Sequence, residues 1–142
     1  MRYILDASAA AKLFIREEGS EGVFRLVEGH THGYLQLSAP TLIIYELGNV
    51  FWKHPEIDAD KAHNFIMKFL DLNIELMNIH EDEEVLREIC DISKNMNITF
   101  YDASYIVLAR RMKAKMITAD ERLKRSFPET ATLIRELVSE SA

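Results

Sequence analysis

The sequence predicts an α/β domain, with a central parallel sheet of four to five strands and helices on both of its faces. Two observations carry that expectation. Short apolar runs alternate along the chain with longer segments of helical spacing, the pattern of a parallel sheet covered by its own crossovers. The 142 residues fit one domain spanning 1–142, because no internal repeat, linker or low-complexity tract divides them. Hydrophobic residues make up 48% and charged residues 28%, enough apolar material for a sizeable core.

Residues 2–5 (RYIL) are expected as the first strand, ending on Asp6. Residues 7–15 (ASAAAKLFI) follow as a helix rich in alanine, the best helix former. A second helix is expected over 20–27, a loop over 30–33 (HTHG) and a second strand over 35–39 (LQLSA). Pro40 suits the first turn of a helix, where its missing N–H does no harm, and that helix is expected over 41–53. Asp58 is placed as the N-cap of the next helix, in which Ala62, Phe65, Ile66, Phe69 and Leu70 keep helical spacing.

A third strand is expected over 74–79, then a helix over 82–96 with Val85, Leu86, Ile89 and Ile92 inward. From Asp102, Tyr105, Leu108, Ala109 and Met112 mark the apolar face of another helix. Residues 114–119 read as a strand, Asp120 opens a helix, 132–134 form a last short strand, and the tail from about 136 is expected to fray.

The formal net charge of −6 argues against a stoichiometric nucleic-acid coat protein, though not against a nuclease with an acidic, metal-loaded site. The single cysteine, Cys90, leaves no internal disulfide and suits a reducing cytoplasm. Asp6 interrupts the first apolar run, so no leader is expected, and no uncharged run is long enough to span a bilayer. The expected location is therefore the cytoplasm, away from membranes.

A helix of about twelve residues climbs roughly 18 Å, and a strand of about five returns roughly 16 Å. Asp102 and Asp120 should therefore meet at one edge of the sheet, the carboxyl edge at which ligands bind in open α/β folds. Asp6, Asp102 and Asp120 each stand where a helix is expected to begin. Capping explains any one of them, but Ser, Thr or Asn would cap equally well, and all three are Asp. Glu46 interrupts an otherwise apolar helix (LIIYELGNVFW), and a buried glutamate is rare unless paired.

Four convergent carboxylates repel by about 4 kcal/mol per close pair at an effective dielectric near 20, unless some are protonated or a cation sits among them. An all-oxygen ligand set favours Mg²⁺ or Mn²⁺. Such an ion can bridge phosphate oxygens and acidify a bound water, which suggests metal-dependent phosphodiester hydrolysis.

The opening YILDASAAAKLF, the helix YELGNVFWK, the segment FYDASYIVLA and the ending ITADERL together resemble a PIN domain of the VapC toxin type. The resemblance covers nearly the whole chain in order, with all four acidic positions filled. It implies a single PIN-like domain that hydrolyses RNA, with Mg²⁺ or Mn²⁺ held by Asp6, Glu46, Asp102 and Asp120. It also implies a homodimer, and inhibition by a small cognate antitoxin. Ser8, Asn49 and Thr118 match polar positions that support the acidic site in that family.

Residues 110–125 hold seven of the seventeen Lys and Arg residues. Arg110, Arg111, Lys113 and Lys115 are expected at a helix C-terminus on the far edge of the sheet, favoured there by the dipole. Arg122, Lys124 and Arg125, with Lys12 and Arg16, are the expected RNA contacts. His30 and His32 have no neighbours to complete a zinc site and read as solvated. Phe51, Trp52, Phe65 and Phe69 read as core or as dimer surface, and Cys90 as a small buried hydrophobe.

Three rival functions are compatible with parts of this pattern. An RNA-processing PIN nuclease without an antitoxin keeps all four acids. A phospho-receiver normally needs an acidic pair after its first strand and a late lysine, yet Asp6 stands alone and no lysine follows Arg125. A PIN-like binding module predicts no metal affinity.

Overall fold

A computed structural model of the chain describes residues 1–140. Strand β1 (Arg2–Leu5) leads into α1 (Ala7–Ala10), which a 3-10 turn prolongs through Leu13. Next come α2 (Ser20–Thr31), β2 (Gln36–Pro40), α3 (Ile43–Lys53), α4 (Ala59–Asp71) and β3 (Glu75–Met77). The second half comprises α5 (Glu83–Met96), α6 (Phe100–Arg111), β4 (Lys115–Thr118), α7 (Glu121–Ser126), β5 (Ala131–Leu133) and α8 (Ile134–Glu140).

The five strands form one parallel sheet in the order β3-β2-β1-β4-β5. The chain steps outward from β1 through β2 to β3, then crosses back to the other side of β1 for β4 and β5. Right-handed crossovers put α1 to α4 on one face and α5 to α7 on the other. Helix α6 lies across β1, β2 and β4 with α5 against it, while α8 returns to pack on α2. The central strands are apolar on both faces, as doubly covered parallel strands must be: Ile4, Leu5, Met116 and Ile117 are all fully buried. No helix among the described residues is long and apolar enough to cross a membrane.

The expected sheet and its covering helices are present, with local corrections. Pro40 is the last residue of β2 and not the first turn of α3, and the ladder to β3 continues through Thr41 N–H to the Met77 carbonyl (3.0 Å). The third strand is shorter than expected, because the chain breaks into a 3-10 turn at Ile79–Glu81. Helix α2 runs on through the expected HTHG loop as far as Thr31. His30 is not simply solvated there: its Nδ1 accepts from Leu37 N–H (3.1 Å), and its Nε2 lies 3.2 Å from the Asn73 carbonyl. Helix α8 covers the tail through Glu140, and residues 141 and 142 of the expected frayed tail lie outside the described part.

Asp58 caps α4 as expected, and Asp82 caps α5. Asp102 does not cap α6; Thr99 does, its hydroxyl accepting from Asp102 N–H at 3.0 Å. Phe51 and Phe69 are core, whereas Trp52 is 75% exposed on the outer side of α3, Leu70 faces solvent on α4, and Cys90 is exposed on α5. These three miss the core because α3, α4 and α5 each bury a single stripe, set by Ile43, Leu47 and Phe51 on α3 and by Val85 and Ile89 on α5.

Phe51 on α3 joins α4 and the segment that follows the α1 turn through edge-to-face contacts with Phe65 and Phe14, at centroid distances of 5.4 and 5.6 Å. Phe51→Ala is expected to destabilise the protein by about 3–5 kcal/mol in urea unfolding. Trp52→Ala next to it should change stability by about 0.5 kcal/mol or less.

Candidate active site

The direction of strand order reverses between β1 and β4, which makes their carboxyl ends the topological switch point of the sheet. Asp6 follows β1 there and Asp120 follows β4. Asp6 N–H extends the ladder between these strands by donating to the Ile117 carbonyl of β4 (3.1 Å).

Asp6 is only 5% exposed. Its Oδ1 accepts from Ser8 Oγ (2.7 Å) and from Ala9 N–H (2.9 Å), the latter being its N-cap bond to α1. Ser8 Oγ also accepts from Ala119 N–H (3.0 Å) and lies 3.3 Å from Thr118 Oγ1. Thr118, fully buried, accepts from Asp120 N–H (3.1 Å). Ser8 and Thr118 thus tie Asp6 to the Asp120 loop. Burial pushes the Asp6 carboxyl up to about 6, against the opposing pull of the Thr118, Ala9 and Ser8 hydrogen bonds, and nearby Asp102 adds to the rise.

Asp120 caps α7, its Oδ1 accepting from Arg122 N–H (2.8 Å) and Leu123 N–H (3.3 Å). Asp102 has its backbone engaged by Thr99, which leaves its carboxylate free of capping duty. Desolvation, and then the Asp120 charge, raise its pKa, while the Thr99 hydrogen bond and Arg122 lower it. The Arg122 guanidinium stands between the two, 3.9 Å from Asp102 Oδ2 and 3.8 Å from Asp120 Oδ2. Asp102 and Asp120 therefore meet at one edge, as the strand and helix lengths require.

Glu46 projects from the first turn of α3 toward the same cluster. Its pKa is raised chiefly by desolvation, with further contributions from the Asp102 and Asp6 charges, against an opposing influence from the Tyr105 hydroxyl. Glu46 Oε1 and Tyr105 Oη are both buried, and neither completes a hydrogen bond. Burial, and then the Glu46 charge, hold Tyr105 firmly protonated, so its hydroxyl remains a donor facing this edge.

The four acids are electrostatically one cluster, although among the described residues no three His, Cys, Asp or Glu side chains are yet gathered closely enough to hold a metal. The donor set nevertheless fits a hard dication. It is all carboxylate oxygen, one buried oxygen on Glu46 has no partner, and the loosely held Arg122 relieves part of the mutual repulsion.

The other expected residues divide. Asn49 is exposed on α3, one turn beyond Tyr45, and lines a cleft beside Glu46. Lys12 is engaged internally: its Nζ donates to Glu17 Oε1 (3.0 Å) and to the Glu18 carbonyl (2.7 Å). Lys124 is held by the Pro128 and Ala131 carbonyls (3.2 and 3.0 Å). Both lysines, expected as RNA contacts, tie down neighbouring loops in this structure. Arg16 pairs with Glu21 at 2.9 Å on an open surface, and Arg125 is exposed. Arg122 alone of the five touches the acidic cluster. Arg110, Lys113 and Lys115, at the end of α6 and the start of β4, line a separate cleft away from Asp102. Sequence reasoning passed over Thr99 and Tyr105; a Thr three residues before Asp102 was the available sign of the first.

Residues 3–126 match the PIN domain family. The chain is 31% identical over 135 residues to Ribonuclease VapC3 of Pyrobaculum aerophilum, covering 93% of this chain and 99% of that protein. The crystal structure of PAE2754 from Pyrobaculum aerophilum superposes with a TM-score of 0.74 at 25% identity, covering 99% of this chain and 97% of that one. A toxin-antitoxin complex from Klebsiella pneumoniae superposes with a TM-score of 0.66 at 13% identity, covering 93% and 97%. The class defined by this fold and by the acids at its switch point is that of the PIN domains. This chain belongs to the PIN domain family.

The raised Asp6 pKa has a definite sign in stability. Between its ordinary value of 3.8 and about 6, the folded protein keeps a proton that the unfolded chain has released. The contribution is complete below the lower value and lost as pH rises through the upper one. In EDTA, Asp6→Asn, which stays neutral and keeps an acceptor for Ser8 and Ala9, should melt above wild type at about pH 7.5, by up to ~3 kcal/mol. That advantage should shrink toward pH 4; an advantage independent of pH would contradict the assignment.

Proposed function

We propose that this chain is the toxin of a VapBC-type pair, an endoribonuclease that hydrolyses RNA phosphodiester bonds with Mg²⁺ or Mn²⁺ held by Asp6, Glu46, Asp102 and Asp120. The observation that carries the reading is the convergence of these four carboxylates at the switch point, with Asp6 buried and Glu46 lacking a partner. The similarity to a ribonuclease over nearly the full length of both chains supports the same reading. The likeness in fold to a toxin-antitoxin complex supports a small antitoxin as the partner. The wider expectation of a homodimer working in the cytoplasm belongs to this proposal.

When bound, the ion supplies charge neutralisation at the phosphate and a water acidified enough to attack it. The residues supply the rest. Asp6 is fixed by Ser8 and Ala9 and cannot swing away, so it sets the position of the site. Asp102, free of capping, can turn toward Asp6. Asp120 keeps one oxygen on the α7 amides and has the other available. Tyr105 holds a proton that can be donated to Glu46 and keep its carboxylate oriented. Arg122, exposed and only loosely paired, is free to leave the carboxylates for a phosphate oxygen.

Purified protein should cut a mixed structured RNA with Mg²⁺ or Mn²⁺ and not with EDTA. Asp102→Asn should lower the rate by at least about 10²-fold, the scale for losing one group from an electrostatic catalytic site. Unchanged cleavage by Asp102→Asn at matched metal concentration would sink the assignment. No cleavage by wild type, together with no Mn²⁺ binding by calorimetry, would replace it with a binding role.

A further inference from the structure

We propose that Tyr45 and Tyr101 form a stacking platform that holds an unpaired nucleobase of the substrate beside the acidic cluster. This inference rests on the ribonuclease reading above and specifies the substrate of that site. Both tyrosines are conspicuously solvent-facing, Tyr45 at 81% and Tyr101 at 58% exposure, and neither ring is spent on the core. They come from different helices, α3 and α6, yet line one cleft of about 660 Å³ together with Ser8, Glu46 and Asn49. That volume falls in the range of roughly 300–1,000 Å³ typical of small-ligand sites.

The placement follows from helix geometry. On α3 the core stripe is Ile43, Leu47 and Phe51, while Tyr45 and Asn49 lie one turn apart on the outer side. Of the four acids, Glu46 lines the same cleft as the two rings, and Ser8 in that lining is the residue that hydrogen-bonds Asp6, so the cleft borders the cluster.

The chemistry of the cleft selects the part of a nucleotide that enters it. Glu46 is the only charged residue in its lining, so the cleft repels phosphate. A flat, uncharged ring is what two phenols and an aliphatic floor accept, and Asn49 offers an amide for a base edge. A base in a duplex is paired and stacked on both sides, so only an unpaired one can present a free face to a tyrosine. Through Ser8, which donates to Asp6, and Glu46, the cleft opens beside the acidic cluster, so a nucleotide whose base lies in it has its backbone near the acids.

The test combines kinetics with photocrosslinking. With a short single-stranded RNA, Tyr45→Ala and Tyr101→Ala should each raise KM by about tenfold while altering kcat much less, and Tyr45→Phe should restore KM. Trp52→Ala, outside the cleft, serves as the control. A single-stranded RNA carrying 5-iodouridine, irradiated with Ca²⁺ in place of Mg²⁺, should crosslink to peptides containing Tyr45 or Tyr101.

Wild-type KM in both alanine variants would overturn the platform, as would crosslinks confined to the Arg110–Lys113 side. So would altered self-association by light scattering with KM unchanged, which would mark these rings as a face between copies or for a protein partner. Crosslinking at the tyrosines without any cleavage by wild type would keep the platform and remove the nuclease reading. Cleavage that ignores the tyrosines would do the reverse.

Discussion

Asp6 sits at the end of the central strand, between the fully buried Leu5 and the buried Ala7, where an ionised side chain is least comfortable. Its carboxylate is kept there by donors that the local fold provides: the Ala9 amide at the start of α1 and the Ser8 hydroxyl. Ser8 in turn accepts from the Ala119 amide and lies against Thr118 on the neighbouring strand. One buried carboxylate therefore couples the end of β1, the start of α1 and the end of β4. The geometry of the edge is fixed by that coupling, and the other three acids approach a point already defined.

The remaining acids differ in how tightly they are held. Asp120 is occupied by the α7 amides through one oxygen. Asp102 is released because Thr99 caps α6 in its place. Glu46 ends in a buried oxygen without a partner, beside a tyrosine hydroxyl in the same condition. Such a set is unfavourable by itself, since buried polar groups are normally satisfied and like charges repel. Local satisfaction has been given up at one place in the fold, which is how functional sites tend to differ from the structure that carries them. Arg122 relieves part of the repulsion from a distance of nearly 4 Å, close enough to neutralise and loose enough to leave.

Much of this was legible in the sequence because burial on both faces leaves continuous apolar strands, and because capping residues mark helix starts. The four acidic positions could be picked out from residue type and spacing, and the family resemblance added their common role. Other features were hidden for physical reasons. Thr99 and Asp102 are both competent to begin α6, and only the backbone geometry decides between them. Trp52 and Cys90 lie in helices whose apolar stripe is narrower than their composition suggests, so both reach solvent. Lys12 and Lys124 resemble surface cations in sequence, yet loop closure brings carbonyl oxygens to them. The exposure of Tyr45 and Tyr101 depends on how α3 and α6 rotate against the sheet, which no local pattern encodes.

The central claim is that the switch-point carboxylates are built to receive a hard cation. Crystals soaked in Mn²⁺ and measured for its anomalous signal would test it directly. The account predicts one dominant peak in contact with the Asp6 and Asp102 carboxylates, with Glu46 and Asp120 turned toward it and the Arg122 guanidinium displaced. A dominant peak elsewhere on the molecule, with Arg122 still lying between Asp102 and Asp120, would contradict it.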